Sequence, residues 1–184
     1  LVAGDSGRFA VGDVTAIGRA SRSNATGVEA DLLEDASLTV GDVTVEGDAR
    51  ALGVGLWAGD YGRIAVGDVT AVGRSARSNV TGVDVQLGDD VSFTIGDVTA
   101  TGGASAMGAL IAAGYDTSVV VDGSVTVTAM GGDADGIRVD LSPDSTMSVE
   151  GAIVVTSSDA TARGVSIYGA DDFSVAVNDV TVEG

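Results

Sequence analysis

Apolar and polar residues alternate along short runs of this chain, which is the pattern of β-strands with one buried face. The run "FAVGDVTA" and the later run "TGVEADL" show it near the start of the sequence. One set of positions is predicted to point inward: Phe9, Val11, Val14, Ala16, Val28, Ala30 and Leu32. The intervening residues predicted to point outward include Ala10, Thr15, Glu29 and Asp31. We therefore expect strands near residues 8–17 and 26–32.

The alternation returns at a nearly constant interval. Four intact and three degenerate copies of the motif Gly-Asp-Val-Thr lie 26 to 29 residues apart, beginning at Gly12, Gly41, Gly67, Gly96, Gly123, Gly151 and Asn178. The inward positions recur in each later unit, at Leu38, Val40, Val43, Val45, Ile64, Val66, Val69, Ala71, Phe93, Ile95, Val98, Ala100, Val119, Val121, Val125, Val127, Met147, Val149, Ile153, Val155, Val175, Val177, Val180 and Val182. Such a period is typical of repeat architectures, in which each unit buries its apolar face only against its neighbours.

The length of this period narrows the fold to one class. A leucine-rich repeat would show a regular leucine pattern and a helical return segment, and a propeller blade needs about 40 or more residues. Three short strands in about 27 residues instead predict an all-β, right-handed parallel β-helix, which is a three-strand β-solenoid of about seven coils. Strands stacked about 4.8 Å apart would form a rod of roughly 30 to 35 Å.

A pair of coils is duplicated near the start of the chain. Residues 62–82 repeat residues 7–27 almost letter for letter, at an offset of 55 residues that equals one coil of 29 and one of 26. The longer coil carries its extra residues in "RASRSNATG" and "RSARSNVTG". These segments are predicted to form a loop between the second and third strands on every second coil.

Both ends of the sequence fall partway round a coil. The first residues "LVAGDSG" match "LWAGDYG" at 56–62, and the last residues "NDVTVEG" match "GDVTVEG" at 41–47. We expect residues 1–184 to form a single β-solenoid repeat domain that is a segment of a longer solenoid. Open strand edges invite pairing with other chains, so copies are also expected to associate end to end.

The composition supports the strand prediction and limits the partners. Val, Thr, Gly, Ala, Ser and Asp dominate, while good helix formers are scarce. There is no Cys, which excludes disulfides and thiolate metal sites. The 27 acidic and 9 basic residues give a net charge of −18, which disfavours nucleic acid and anionic lipid as partners. No apolar run is long enough to span a bilayer, so no direct membrane insertion is expected.

Aspartates recur in two turns of the coil. One turn holds Asp13, Asp42, Asp68, Asp97 and Asp179, and a second holds Asp5, Asp35, Asp60, Asp90, Asp116, Asp144 and Asp172. Stacked carboxylates repel one another, and Ca²⁺ could relieve that repulsion because it accepts oxygen ligands flexibly. Asp is also an ordinary turn residue that bonds the backbone two residues on. The sequence therefore assigns no metal ligands, and Ca²⁺ is the one candidate cofactor.

Three further outward features could bind a ligand. Threonines form a column at Thr15, Thr44, Thr70, Thr99, Thr126 and Thr181, which is extended to Thr-x-Thr by Thr101 and Thr128. Such arrays resemble those of ice-binding β-solenoids, although Thr is also favoured on exposed strands. The loop carries Asn-x-Thr sequons at Asn24 and Asn79, beside Arg22 and Arg77. Trp57, Tyr61 and Tyr168 could stack on sugar rings, but they do not cluster in the register.

No catalytic constellation emerges from the sequence. The adjacent pairs Asp89–Asp90 and Asp171–Asp172 would face opposite ways on a strand and would be solvated on a turn. There is no His to act as a general base, and "DADG" at 133–136 is only a fragment of a calcium loop. The prediction is that the chain is not an enzyme. A carbohydrate-active β-helix enzyme, which would need a close carboxylate pair or a base near Ca²⁺, is the remaining catalytic alternative.

The Gly-Asp-Val-Thr coils, the Gly-Val dipeptides ending at Val28, Val54, Val83 and Val165, and the acidic exterior without Cys resemble bacterial surface β-helix repeat proteins. The families concerned are autotransporter passenger domains and filamentous-haemagglutinin-like adhesins. The resemblance implies a non-catalytic structural or adhesive solenoid, outside the cell or on the bacterial surface, with a glycan or host-surface ligand. A calcium-binding or ice-binding β-solenoid is the alternative.

Overall fold

The computed structural model describes residues 1–3, 6–169 and 171–184, and all of the regular elements in these residues are β-strands. The strands assemble into three parallel sheets of seven strands each. This arrangement confirms the predicted all-β parallel β-helix. None of the described residues forms a helix with the length and hydrophobicity needed to cross a membrane.

Each turn of the chain contributes one strand to each sheet. In the first turn, β2 (Arg8–Val11) ends at the Gly-Asp dipeptide of residues 12–13, and β3 (Val14–Ile17) follows directly. A loop at 18–23 leads to the longer β4 (Asn24–Leu32). A short turn at 33–36 then returns the chain to the sheet that contains β2, one level further along the axis.

The three sheets differ in strand length. The long sheet contains β1 (Val2–Ala3), β4, β7 (Arg50–Ala58), β10 (Asn79–Leu87), β13 (Ser105–Ala113), β16 (Ala134–Leu141) and β19 (Ala162–Gly169). The second sheet contains β2, β5 (Ser37–Val40), β8 (Arg63–Val66), β11 (Ser92–Ile95), β14 (Ser118–Val121), β17 (Thr146–Val149) and β20 (Ser174–Val177). The third sheet contains β3, β6 (Val43–Gly47), β9 (Val69–Gly73), β12 (Val98–Gly102), β15 (Val125–Ala129), β18 (Ile153–Ser157) and β21 (Val180–Glu183).

The number of coils agrees with the prediction of about seven, since each sheet contains seven strands. Val14 and Val180 hold the same position in the first and last strands of the third sheet, six turns apart. A turn therefore averages about 28 residues, compared with the predicted period near 27. The first and last of the seven strands in a sheet are thus separated by about six full turns.

The core follows the predicted alternation of inward residues. In the middle turns every predicted inward position is buried; Phe93, Leu38 and Ile95 are among the largest of these side chains. Fully burying one Val, Leu, Ile or Phe side chain stabilises a fold by about 1.5 to 3 kcal/mol. The same positions are less buried in the first and last described turns, where Phe9 is half-buried and Val180 is 46% exposed.

A glycine column runs through the long sheet and changes the phase of its strands. In β4, Ala25 and Val28 both point into the core, although they are three residues apart. Gly27 lies between them, and a Cβ there would collide with the Gly53 carbonyl of the next turn and with Val43. Equivalent glycines follow in every later strand of this sheet: Gly53, Gly82, Gly108, Gly136 and Gly164.

This phase change corrects one detail of the sequence prediction. The third strand was expected to begin near residue 26, which would place the Gly-Val dipeptide of residues 27–28 close to its start. The strand begins earlier, at Asn24, and the dipeptide lies in its middle. The hydrophobic pattern could not show the first residues of the strand because the glycine interrupts the alternation there.

Candidate functional site

The aspartates of the first turn link consecutive coils. Oδ1 of Asp13 accepts the backbone N–H of Asp42 at 3.1 Å, and Oδ1 of Asp42 accepts that of Asp68 at 3.1 Å. The series continues with Asp68 to Asp97 at 2.9 Å and Asp97 to Ser124 at 2.6 Å. These carboxylates therefore bond the backbone of the following coil, and not the backbone two residues on as ordinary turn chemistry predicted.

The aspartates of the second turn occupy two different positions. Left-handed backbone with positive φ is found at Ser6, Asp35, Tyr61, Asp90, Asp116, Asp144 and Asp172. Asp60 is therefore not stacked with Asp35 and Asp90 as predicted, because Tyr61 holds that place. Instead Oδ1 of Asp60 accepts the N–H of Asp89 at 2.9 Å. Asp5 lies outside the described residues.

Neither aspartate series forms a cage of ligands in the described part of the chain. No group of three or more Asp or Glu side chains there converges on a point that a metal ion could occupy. The fragment at 133–136 is mostly strand, since it leads into β16. Asp133 accepts the N–H of Thr161 at 3.1 Å, and Asp135 pairs with Arg163 at 3.2 Å.

The adjacent aspartate pairs are separated by their roles in the turns. Oδ1 of Asp89 accepts the N–H of Tyr115 at 2.8 Å, whereas Asp90 supplies the left-handed position of the same turn. Asp171 and Asp172 are both exposed, and Asp172 again has positive φ. Neither pair faces a common point in the way that acid and base catalysis would need.

The threonine column has the predicted register. Thr15, Thr44, Thr70, Thr99 and Thr126 lie on successive strands of the third sheet, followed by Val154 and Thr181. In the neighbouring column Thr101, Thr128 and Thr156 are also successive. The two columns form a Thr-x-Thr array over two strands, and only the second column continues in a third strand, at Thr156.

The loops of the duplicated coils lie on one side of the rod. The loop at 18–23 and the loop at 74–78 are separated by the shorter turn of the intervening coil, whose Asp48 accepts the N–H of Arg22 at 2.5 Å. Asn24 and Asn79 are exposed at the starts of β4 and β10, with Arg50 between them. Oδ1 of Asn79 accepts the hydroxyl of Ser105 at 2.8 Å.

A groove of about 320 Å³ lies beside Asn24 and Arg50, on the outer face of the long sheet. The groove is deeper at Gly55, which has no side chain and lies between Glu29 and Asp84 in one outward column. In the next column Trp57 stands between Asp31 and Gln86 and is 52% exposed. The indole ring therefore forms one wall of a groove whose remaining lining is partly polar and partly apolar, with Leu52 and Leu56 among the apolar residues.

A second hollow of about 420 Å³ continues this groove along the axis of the rod. The two hollows share Asp84 and Gln86. The second is lined by Tyr168, which is 53% exposed, and by Arg138, whose guanidinium lies 5.1 Å from the centre of the Tyr168 ring. We call both hollows together the axial groove.

The sequence did not indicate this groove. Trp57 and Tyr168 were recognised as exposed aromatics, but they were not expected to share a position in the register. They nevertheless belong to one outward column, four strands apart. The available signal was Gly55, because the alternation rule places it outward between two carboxylates.

Comparisons with known proteins give no family. No protein-family model matches the chain, and no curated protein or solved structure is significantly similar to it.

Proposed function

We propose that the chain is a non-catalytic structural or adhesive solenoid that works outside the cell or on a bacterial surface. The observation that carries the proposal is the repeated bonding of each coil to the next, by sheet pairing and by the aspartate series. A rod built in this way holds its outer surfaces in a fixed spacing. The axial groove and the stacked loops are the surfaces that it would present to a ligand on a host or another cell.

The proposed relatives are the autotransporter passenger domains and filamentous-haemagglutinin-like adhesins. The support is the parallel solenoid itself, with its Gly-Asp turns and net charge of −18. High net charge keeps an extended rod soluble and discourages lateral association.

We also propose that copies stack end to end. Asp179 holds the place in the last coil that Asp68 holds in the middle of the rod. Gly12 holds the place of Gly96, but a Cβ on Gly12 would meet nothing within 4 Å. The Asp179 carboxylate of a second copy would fit that open space and bond the Asp13 N–H.

Adhesion of coated beads tests the proposed function. Beads that carry the chain are expected to attach to epithelial cell layers under flow more strongly than albumin-coated beads do. The same protein is expected to release no reducing ends from polysaccharides. Attachment no stronger than that of albumin-coated beads would contradict the proposed adhesive function. Release of reducing ends would contradict the non-catalytic proposal and favour the carbohydrate-active enzyme.

The threonine array supports ice binding as a second candidate, and calcium binding stays an alternative although the described aspartates form no group of three or more ligands around a point. Glu46 and Val154 interrupt the threonine columns, so a flat array covers only part of the third sheet. Faceted ice crystals grown in the presence of the protein would favour the first. A melting temperature raised by Ca²⁺ but not by Mg²⁺ would favour the second.

A further inference from the structure

The axial groove combines aromatic rings with polar side chains in one line. Trp57 stands at one end and Tyr168 at the other, and both rings are about half exposed. Four strand steps separate them in the same outward column. At about 4.8 Å for each step, the two rings are about 19 Å apart along the rod.

Small residues shape the floor of the groove, one beside Trp57 and one between the two rings. Gly55 and Ala112 occupy outward positions at which neighbouring strands carry longer side chains. Asp84, Gln86 and Arg138 line the space and offer a carboxylate, an amide and a guanidinium. Hydrogen-bond donors and acceptors are therefore available along the length of the groove.

This combination matches the chemistry of a linear carbohydrate. One face of a pyranose ring is formed by C–H groups and packs on an aromatic ring, whereas its hydroxyls need donors and acceptors at the sides. The geometry points to the axial groove as the binding site of a neutral linear oligosaccharide that runs along the rod from Trp57 to Tyr168. This inference rests on the proposed adhesive function and names its ligand class.

Charge and backbone pairing disfavour other occupants. Glu29, Asp84 and Asp140 outnumber Arg50 and Arg138 among the charged side chains that line the groove, and the protein is strongly acidic, so a polyanionic chain would be repelled. A peptide could bind as an added strand only at an exposed sheet edge. The strands that form the floor, β7, β10, β13 and β16, each have a partner strand on both sides.

The single tryptophan of the chain reports directly on this groove. Trp57 is the only Trp, so a change in tryptophan emission on titration is a local signal. The probes are hexasaccharides and disaccharides of β1,4-linked glucose, mannose and N-acetylglucosamine, with hexagalacturonate as the anionic comparison. At least one neutral hexasaccharide is expected to change the emission and to bind at least tenfold more tightly than its disaccharide. Stronger binding of hexagalacturonate would overturn the neutral ligand class.

Calorimetry on matched variants tests the residues. Trp57→Ala is expected to lower the affinity for the hexasaccharide at least tenfold, and Tyr168→Ala to abolish its advantage over the disaccharide. Gly55→Gln should block the groove without unfolding the chain, because a Cβ there would meet only Leu52 Cδ2, at 3.3 Å, and Val28 O, at 4.0 Å. Tyr115→Ala, which removes a similarly exposed aromatic ring outside the groove, is expected to bind normally.

Two results would overturn the inference. One is the absence of any response to the three neutral hexasaccharides at millimolar concentration. The other is unchanged affinity in both Trp57→Ala and Gly55→Gln. If coated beads still attach to cells in either case, the adhesive function stands and only its ligand class is wrong. If the beads do not attach, the adhesive function itself is contradicted.

Discussion

The carboxylate of Asp68 occupies the space that a side chain on Gly96 would need. An ideal Cβ on Gly96 would lie within 3.0 Å of Asp68 Oδ1, the same atom that accepts the N–H of Asp97. The two residues belong to consecutive coils. The two residues of the recurring Gly-Asp dipeptide thus have complementary roles. Each Asp carboxylate bonds the backbone of the next coil, and the Gly of that coil leaves space for the carboxylate.

A side chain at Gly96 should therefore destabilise the rod. We expect Gly96→Ala to lower the free energy of unfolding by about 1 to 3 kcal/mol, because the Asp68 carboxylate must move. Gly12→Ala is the matched control, as its Cβ would meet nothing within 4 Å, and should change stability by about 0.5 kcal/mol or less. Urea unfolding at low protein concentration measures both. Equal losses would show that the carboxylate contact is irrelevant.

Removing the carboxylate should have a smaller effect than crowding it. Asp68→Ala leaves the Asp97 N–H without its acceptor in an exposed turn, and we expect a loss of about 0.5 to 1.5 kcal/mol. Asp68→Asn retains an acceptor oxygen and should recover most of this loss. Thermal unfolding of the two variants provides the comparison. If Asn were as harmful as Ala, the hydrogen bond between coils would not be what the aspartate contributes.

The inward register can be tested with neighbouring residues of β9. Val69 is 1% exposed, whereas Thr70 points outward. Val69→Asp should place an unpaired carboxylate in a dry core and cost about 3 kcal/mol or more. Thr70→Asp should cost about 1 kcal/mol or less. Circular dichroism melts of the two variants measure the difference, and similar melting temperatures would contradict the register.

End-to-end stacking predicts a mass that depends on concentration. We expect light scattering to detect growing assemblies of the unmodified chain. Gly12→Leu and Asp179→Ala should each weaken assembly, because one fills the proposed seat and the other removes the carboxylate. Asp122→Ala, which alters an exposed aspartate outside the two series, is the control. Assembly that is unaffected by all three substitutions would exclude this mode of stacking.

Most of each strand could be predicted from the sequence because burial imposes an alternation of apolar and polar residues. The first residues of the long-sheet strands could not be predicted, because the glycine column interrupts the alternation there. The hydrogen-bond partner of each Asp could not be predicted, because Asp is favoured in turns whether its carboxylate bonds its own turn or the next coil. Asp60 was assigned to the wrong position for a related reason. In "GDY" at 59–61 the left-handed position is held by Tyr61, whereas in "GDD" at 88–90 it is held by a second aspartate, Asp90. The axial groove depends on Gly55 and Ala112. Gly55 was the one signal in the sequence, and it was missed because a single small outward residue does not recur with the period of the coils.

The glycine column of the long sheet makes one coil interchangeable with another. From Gly27 to Gly136, each glycine packs against the carbonyl oxygen of the equivalent glycine in the next coil. In this column, successive coils therefore contact one another in the same way along the rod. A further 55-residue pair inserted between existing coils would find both of its faces already matched. Rod length is then a quantity that duplication alone can change, in steps of about 10 Å for each added pair.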